Sequence, residues 1–397
     1  MTFSSQSLKI CGIRRVVQKR SFCNPLRLVS RKKEFPYQNS LLGGSHQKMG
    51  GIRRIAVTLG VLTCLALQDF ACASLLNLGP EQIVQAGGTE ITVPGYSVPS
   101  YVDWNNDGLK DLVVGDGPGA DALGRVRVYL NAGTASSPVF SGFFYAQSSS
   151  GDLTVPAAGC LGAFPRVVDF GGGVGGNLLV GCADGTVKIF LNTNTDEAPP
   201  VFDAGTFLQI GPTGAKTNID VGSRAAPTVV DWDNNGAKDL VIGAYDGKIH
   251  IFLNSGSDAA PDFTAETFAS ENGSALLVPP LTYGRSSPDI LDLTGDGNKD
   301  LLTGNTEGKL LLYPNVGTNA DPLFSGYYLI ESGGIPIDLF GDPRSRPFVC
   351  DWTGDGYLDV LIGAGDGQIH LYQGVPEPAT VLLLGFGCLL MRRKSKQ

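Results

Sequence analysis

The sequence predicts an all-β fold, a β-propeller of five four-stranded blades, and three observations carry that expectation. Five segments of shared pattern recur at intervals of 66, 62, 61 and 59 residues, aligned on Asp103, Asp169, Asp231, Asp292 and Asp351. Each continues into two short apolar runs, DLVVG and RVRVYLN in the first and DLVIG and KIHIFLN in the third, and these are strand-like in length. The chain is rich in turn formers, with 54 glycines and 24 prolines. A repeat of about 60 residues holding three or four strands suits a blade whose two faces pack on its neighbours.

Taken in order, residues 1–48 are basic and without periodicity, an upstream extension. From Met49 the chain reads GGIRRIAVTLGVLTCLAL and then Ala71-Cys72-Ala73. A charged start, an apolar stretch and a small-x-small site make 49–73 a secretory signal peptide, with translation starting at Met49. A long targeting pre-sequence or a membrane anchor is the other reading.

The blades begin near 99, 165, 227, 288 and 347, where a proline stands four residues ahead of each aligned Asp or its counterpart. In the last four, Asp184-Gly185, Asp246-Gly247, Glu307-Gly308 and Asp366-Gly367 join the two apolar runs. Asp-Gly between apolar runs predicts a tight type I′ hairpin. The first copy has a longer connection, Asp116 to Gly124. The fifth copy stops after its third strand, while 75–98 stands ahead of the first with no blade of its own. That segment and FLQIGPTGAKTNIDVGSRAAP share an apolar stretch, a Gly-Pro and a second apolar stretch. The N-terminal segment is therefore expected to complete the last blade and close the ring, so that 74–374 forms one propeller without open edges. An open stack, or a ring completed by another chain, would use the same strands.

Charge and cysteines exclude several classes. Residues 74–376 carry 14 Lys/Arg against 35 Asp/Glu, a net of −21, which repels nucleic acid and favours cations. No CxxC pair supports a zinc site. Cys160 and Cys182 could form a disulfide in an exported protein, but buried thiols are the preferred reading.

The chemistry lies in the loops that open four of the repeats: DWNNDGLKD (103–111), DWDNNGAKD (231–239), DLTGDGNKD (292–300) and DWTGDGYLD (351–359). Side-chain oxygens stand at positions 1, 3, 5 and 9, with glycine at 6. A hard cation takes six to eight oxygens, and alternate residues of a curled loop can all point inward, with position 7 adding its carbonyl. The candidate ligands are Asp103, Asn105, Asp107, Leu109 and Asp111; Asp231, Asp233, Asn235, Ala237 and Asp239; Asp292, Thr294, Asp296, Asn298 and Asp300; and Asp351, Thr353, Asp355, Tyr357 and Asp359. Ca²⁺ is preferred over Mg²⁺, which demands stricter octahedral geometry. About four structural Ca²⁺ sites are expected. The second copy, Asp169 to Asn177, lacks the inner carboxylates and is expected to hold no metal tightly.

These loops, each followed by a strand and a glycine turn, resemble the FG-GAP/VCBS repeat over roughly 99–374. The resemblance implies a propeller like that of integrin α-subunits, with chiefly structural calcium. It also implies roles in adhesion, lectin-like sugar binding or as ancillary domains of enzymes. The tail, Pro376-Glu377-Pro378 followed by VLLLGFGCLLM and Arg392-Arg393-Lys394, resembles the PEP-CTERM sorting signal over 375–397. That implies an exosortase-type membrane enzyme as partner and transient membrane association through this segment. A short tail anchor would have a similar pattern, although a stable span needs roughly 20 apolar residues.

Trp104, Trp232 and Trp352 occupy position 2 of their loops, where the other copies have Phe170 and Leu293, so packing between blades is expected there rather than sugar stacking. His250 and His370, in matching third strands, read as surface positions. No nucleophile elbow, triad order, phosphate-binding loop or HExxH appears, and no catalytic residue is assigned. The expectation is an exported, calcium-stabilised binding module at the cell surface or in the extracellular matrix, recognising carbohydrate or a surface protein and not nucleic acid. A carboxylate-based polysaccharide hydrolase or lyase, and a purely structural matrix component, are the other readings.

Overall fold

Strands of five residues recur where the repeats place them, and in each repeat the second is buried along its whole length: Asp111–Gly115, Asn177–Gly181, Asp239–Gly243, Asp300–Gly304 and Asp359–Gly363. A strand covered on both faces reads as a continuous apolar run, which is why these segments do not alternate. The computed structural model describes residues 76–376, apart from 119, 173–175, 195–198, 281–282, 340 and 342. The described part is all β, with no helix among the described residues, and forms a five-bladed propeller. It belongs to the second of two compact units, Gly60–Gln397. The expected upstream extension, the expected signal peptide and, from Glu377 onward, the expected sorting segment lie outside the described residues.

Each blade is an antiparallel meander. Its first strand lies against the first strands of both neighbours, so Val98–Val102, Phe164–Val168, Ala226–Val230, Ser287–Leu291 and Arg346–Cys350 ring the axis. The glycine ending each second strand permits this approach. A Cβ on Gly181 would sit 2.1 Å from the Ala225 carbonyl oxygen of the next blade.

The ring closes as expected. Leu78–Ile83 pairs antiparallel with Ile369–Gly374, the third strand of the last blade, through Glu81↔Tyr372, Gln82↔Leu371 and Ile83↔His370. Asn77 reinforces the seam, accepting from the Val375 N–H at 2.8 Å and donating to the Pro376 carbonyl at 3.2 Å. The Gly-Pro alignment behind the sequence expectation has the wrong register, however. The short hairpin Gln85–Ala86 with Thr89–Glu90 matches Gln209–Ile210 with Thr217–Asn218, so Gly79-Pro80 lies within the fourth strand and Gly211-Pro212 beyond one. The closure survives because the pattern of apolar stretches, and not the Gly-Pro, specifies the pairing.

The hairpin type also differs from expectation. Gly185, Gly247, Gly308 and Gly367 have positive φ, whereas Asp184, Asp246, Glu307 and Asp366 do not. Gly185 N–H donates to the Cys182 carbonyl, and Cys182 N–H to that of Thr186. This is a three-residue loop ending in a left-handed glycine, a bulged turn rather than type I′. Aspartate suits it because its carboxylate accepts from the amide two residues on, as Asp246 does from Lys248 at 2.9 Å.

Five apolar wedges between blades form most of the core, and position 2 of each loop contributes to one of them. Trp104, Trp232 and Trp352 are buried, as are Phe170 and Leu293. Trp104 meets Phe202 of the next blade at a ring separation of 5.6 Å, Phe170 meets Phe263 at 6.2 Å, Trp232 meets Phe324 at 6.2 Å and Trp352 meets Phe140 at 5.8 Å. In the fifth wedge Leu293 shares a cluster with Leu78 from the closing strand. The same residues anchor parallel backbone bridges from the preceding blade: Ala86↔Phe140, Ser148↔Phe202, Ile210↔Phe263, Glu271↔Phe324 and Ser332↔Leu78.

Two details depart from the sequence expectations. Cys182 is a buried free thiol as expected, whereas Cys160 is an exposed one, and the two form no disulfide. His250 and His370 are not surface positions. They are about 5% and 7% exposed and held by carboxylates, because an acid in the preceding turn and another on the adjacent strand flank each ring.

Candidate metal centre

The loops join first to second strands, so all of them lie at one end of the ring, opposite the Asp-Gly turns. Position 9 is the first residue of the buried second strand, and its carboxylate organises the loop. Asp239 Oδ2 accepts from Trp232 N–H at 2.8 Å and Oδ1 from Asn254 N–H at 2.7 Å. Asp111, Asp300 and Asp359 accept in the same way from Trp104 and Asn131, Leu293 and Asn315, and Trp352 and Gly374. Position 9 therefore ties the loop to the end of the third strand. Burial raises all four carboxyls above the usual range, against the lowering effect of these amides.

Position 1 curls the loop. Asp231 Oδ2 accepts from Gly236 N–H at 3.0 Å, and Asp103, Asp292 and Asp351 accept likewise from Gly108, Gly297 and Gly356. The glycine at position 6 is needed, since its φ is 95° in the third blade and near 87° elsewhere. Position 5 turns toward position 7: Asp107, Asn235, Asp296 and Asp355 accept from the amides of Leu109, Ala237, Asn298 and Tyr357.

The four loops converge to different degrees. Among the described residues, only Asp231, Asp233 and Asp239 bring three carboxylates so close that one oxygen of each lies within 4.8 Å of the others. In the other three loops position 3 is Asn105, Thr294 or Thr353, and the position 5 aspartate does not supply the missing third carboxylate. Among the described residues, three oxygens at ligand positions are nevertheless buried without a hydrogen-bond partner: Asp103 Oδ1, Thr294 Oγ1 and Thr353 Oγ1. Buried oxygens left over at positions 1 and 3 fit a hard cation that takes oxygen ligands.

The second blade builds the same loop without inner carboxylates. Asn177 stands at position 9, wholly buried. Its amide nitrogen donates to the carbonyls of Phe170 and Gly172, while its oxygen accepts from Asn192 N–H at 2.8 Å. An amide can donate inward where a carboxylate cannot, so this loop fills itself. Asp169, at position 1, turns its side chain outward to solvent.

Position 8 was overlooked in the sequence reading. Lys238 Nζ donates to the Asp169 carbonyl of the preceding loop at 3.0 Å and pairs with Asp258 at 2.7 Å. Lys299 Nζ reaches the Asp231 carbonyl in the same manner. These lysines latch neighbouring loops together, and a cleft of about 450 Å³ lined by Asn235–Ala237 and Asn254–Asp258 opens beside the third. The signal was legible, since Lys-Asp ends three of the four intact loops.

Residues 231–303 match the FG-GAP-like repeat family. The match starts at the loop with the converging carboxylates and runs into the second strand of the fourth blade. Integrin alpha-4 of Xenopus laevis is 28% identical over 152 residues, 35% of this chain but only 14% of that protein's length. Among solved structures, the GH43_1 enzyme from Xanthomonas citri is 13% identical with a TM-score of 0.40, covering 73% of this chain and 90% of the other. The Tc holotoxin pore of Photorhabdus luminescens is 11% identical with a TM-score of 0.36, covering 76% and 15%.

Proposed function

We propose that this chain is an exported binding module whose propeller is clamped by Ca²⁺ in the loops of blades one, three, four and five. The observation that carries this reading is the meeting of Asp231, Asp233 and Asp239 in a loop already curled around them. The FG-GAP-like match over those residues and the resemblance to an integrin α-subunit support it. Asp231, Asp233, Asn235, Asp239 and the Ala237 carbonyl would hold the ion in blade three. The equivalent oxygens, including Thr294 Oγ1 and Thr353 Oγ1, would do so in blades four and five. The ion would supply charge neutralisation and rigidity, holding the loop against its second strand, with no part in bond-breaking.

The ligand we assign is extracellular carbohydrate or a surface protein, recognised at the cell surface or in the matrix after signal-peptide removal and sorting through the Pro376-Glu377-Pro378 segment by an exosortase-type enzyme. A glycan array probed with and without EGTA, run beside a reducing-end assay on the same polysaccharides, tests it. Calcium-dependent binding without product release is expected. Release of reducing ends would make the protein an enzyme of polysaccharide breakdown, and an empty array would favour a structural matrix component. Titration calorimetry with Ca²⁺ tests the clamp separately. Absence of saturable heat, with an unchanged melting midpoint in excess chelator, would refute it.

A further inference from the structure

Arginines gather near the axis at the opposite end of the ring, inside the circle of acidic turns. Three residues ahead of the proline that opens each first strand stand Tyr96, Gly162, Arg224, Arg285 and Arg344, and Arg346 follows one position before Pro347. Arg224, Arg285 and Arg344 share left-handed backbone, with φ of 59°, 49° and 88°, a conformation that arginine seldom adopts and that clusters at functional sites. Their repetition at one position of successive blades brings guanidinium groups together where the first strands converge on the axis.

The contacts show how close they are. Arg224 and Arg346 both lie over the Phe164 ring, at 5.5 and 5.7 Å, and Arg344 and Arg346 both lie over Tyr96, at 4.6 and 4.5 Å. Arg346 is wholly buried and Arg224 about 1% exposed. Each uses Nη1 on backbone carbonyls, Arg224 on Ser286 at 3.2 Å and Arg346 on Ser97 at 3.3 Å and Arg344 at 3.0 Å. Further nitrogens have no acceptor among the described residues: Arg224 Nε, Arg346 Nε and Nη2, and Arg285 Nε and Nη1. Among the described residues no carboxylate lies within ion-pair distance of Arg224, Arg285 or Arg346, although acids outnumber bases over 74–376. Burial, and after it the charge of Arg285, lowers Arg224 to about 9, which still leaves it cationic at neutral pH. Buried charges are normally paired, and buried donors normally bonded.

We propose that this axial mouth binds an oxyanion group, a carboxylate, sulfate or phosphate, held by Arg224, Arg285 and Arg346 with Arg344 at the rim. Guanidinium forks suit such groups because they offer paired N–H donors to paired oxygens. The site is separated from the cation loops by the length of the first strand, five residues or roughly 17 Å. It does not depend on those loops, nor on the ligand proposed above: an array of neutral glycans can be empty while this site holds its anion.

Titration calorimetry of the full chain with sodium glucuronate, sodium sulfate and sodium phosphate, each against sodium chloride at equal ionic strength, tests the proposal. Saturable binding of at least one is expected, weakened about tenfold or more in both Arg224→Met and Arg285→Gln. Preference for glucuronate would point to an acidic sugar, and preference for sulfate or phosphate to a tetrahedral group. Arg285 is half-buried, so Arg285→Gln remains informative if Arg224→Met does not fold. No saturable heat with any of the three anions, or affinity unchanged in the variants that fold, would overturn the site and leave the arginines as caps for the first-strand carbonyls.

Discussion

Asp239 and Asn177 occupy the same place in their blades, and the difference of one atom changes what the loop needs. Asp239 can only accept, so its loop gathers amides and two more carboxylates around it. Asn177 donates to two carbonyls and needs nothing further. Asn177→Asp should therefore cost about 1–3 kcal/mol in a denaturant titration, because it removes buried donors from two carbonyls. Asp239→Asn should instead abolish the part of the calcium-dependent rise in melting midpoint that belongs to blade three. A saturated site at about a hundredfold excess over its Kd contributes about 2.7 kcal/mol. Trp352, packed on Tyr101 and Phe140, should behave as a core residue: Trp352→Ala is expected to lower unfolding free energy by about 3–5 kcal/mol.

At the scale of elements, the third strands of blades one, three and five carry a basic residue, paired with acids, where the blade meets its outer strand, while blade four has Leu311 there. Arg127 pairs with Asp116, His250 with Asp246 and Glu266, and His370 with Asp366 and Glu81. His370 matters most, because Glu81 comes from the closing strand and their contact at 2.6 Å spans the seam. Burial alone would push the His370 imidazole down, but the charges of Asp366 and Glu81 outweigh it and hold it above the ordinary range. Asp366 is held below its ordinary range by His370 and by the Gln368 amide, against the opposing effect of burial. A raised histidine stabilises the fold fully below its unfolded value of about 6.5 and ceases to do so as pH rises through the folded one. A lowered aspartate contributes above its unfolded value near about 4 and ceases to as pH falls. The seam should thus be tightest between about pH 4 and 6.5. His370→Gln should lower the melting midpoint within that window and remove the part of its fall above about pH 6.5 that belongs to this pair; an unchanged pH profile would show that the pair does not hold the seam.

For the whole molecule, the ring is held by five wedges of side chains, five parallel backbone bridges and one seam between distant parts of the chain. A truncation ending at Val84 should expose the edge of Ile369–Gly374, lowering the melting midpoint and producing oligomers by edge pairing, visible in light scattering. Retention of a monomer with the parent midpoint would refute closure by this strand.

Much of this was legible in the sequence. The period, the apolar runs, the loop spacing and the substitution of Phe170 and Leu293 for tryptophan specify strands, loops and packing positions locally, because turn geometry and short apolar runs act over a few residues. The aromatic partners Phe140, Phe202, Phe263 and Phe324 were less evident, since their segments are short and variable. Tertiary structure alone decided the turn type, the burial of His250 and His370, the exposure of Cys160 against the burial of Cys182 and the unequal convergence of the four acidic loops. It alone also brought Arg224, Arg285, Arg344 and Arg346 to one place. In sequence those arginines are isolated basic residues in an acidic region. They meet because each blade contributes its first strand to a common axis, and a contact made across blades has no signature within any one of them.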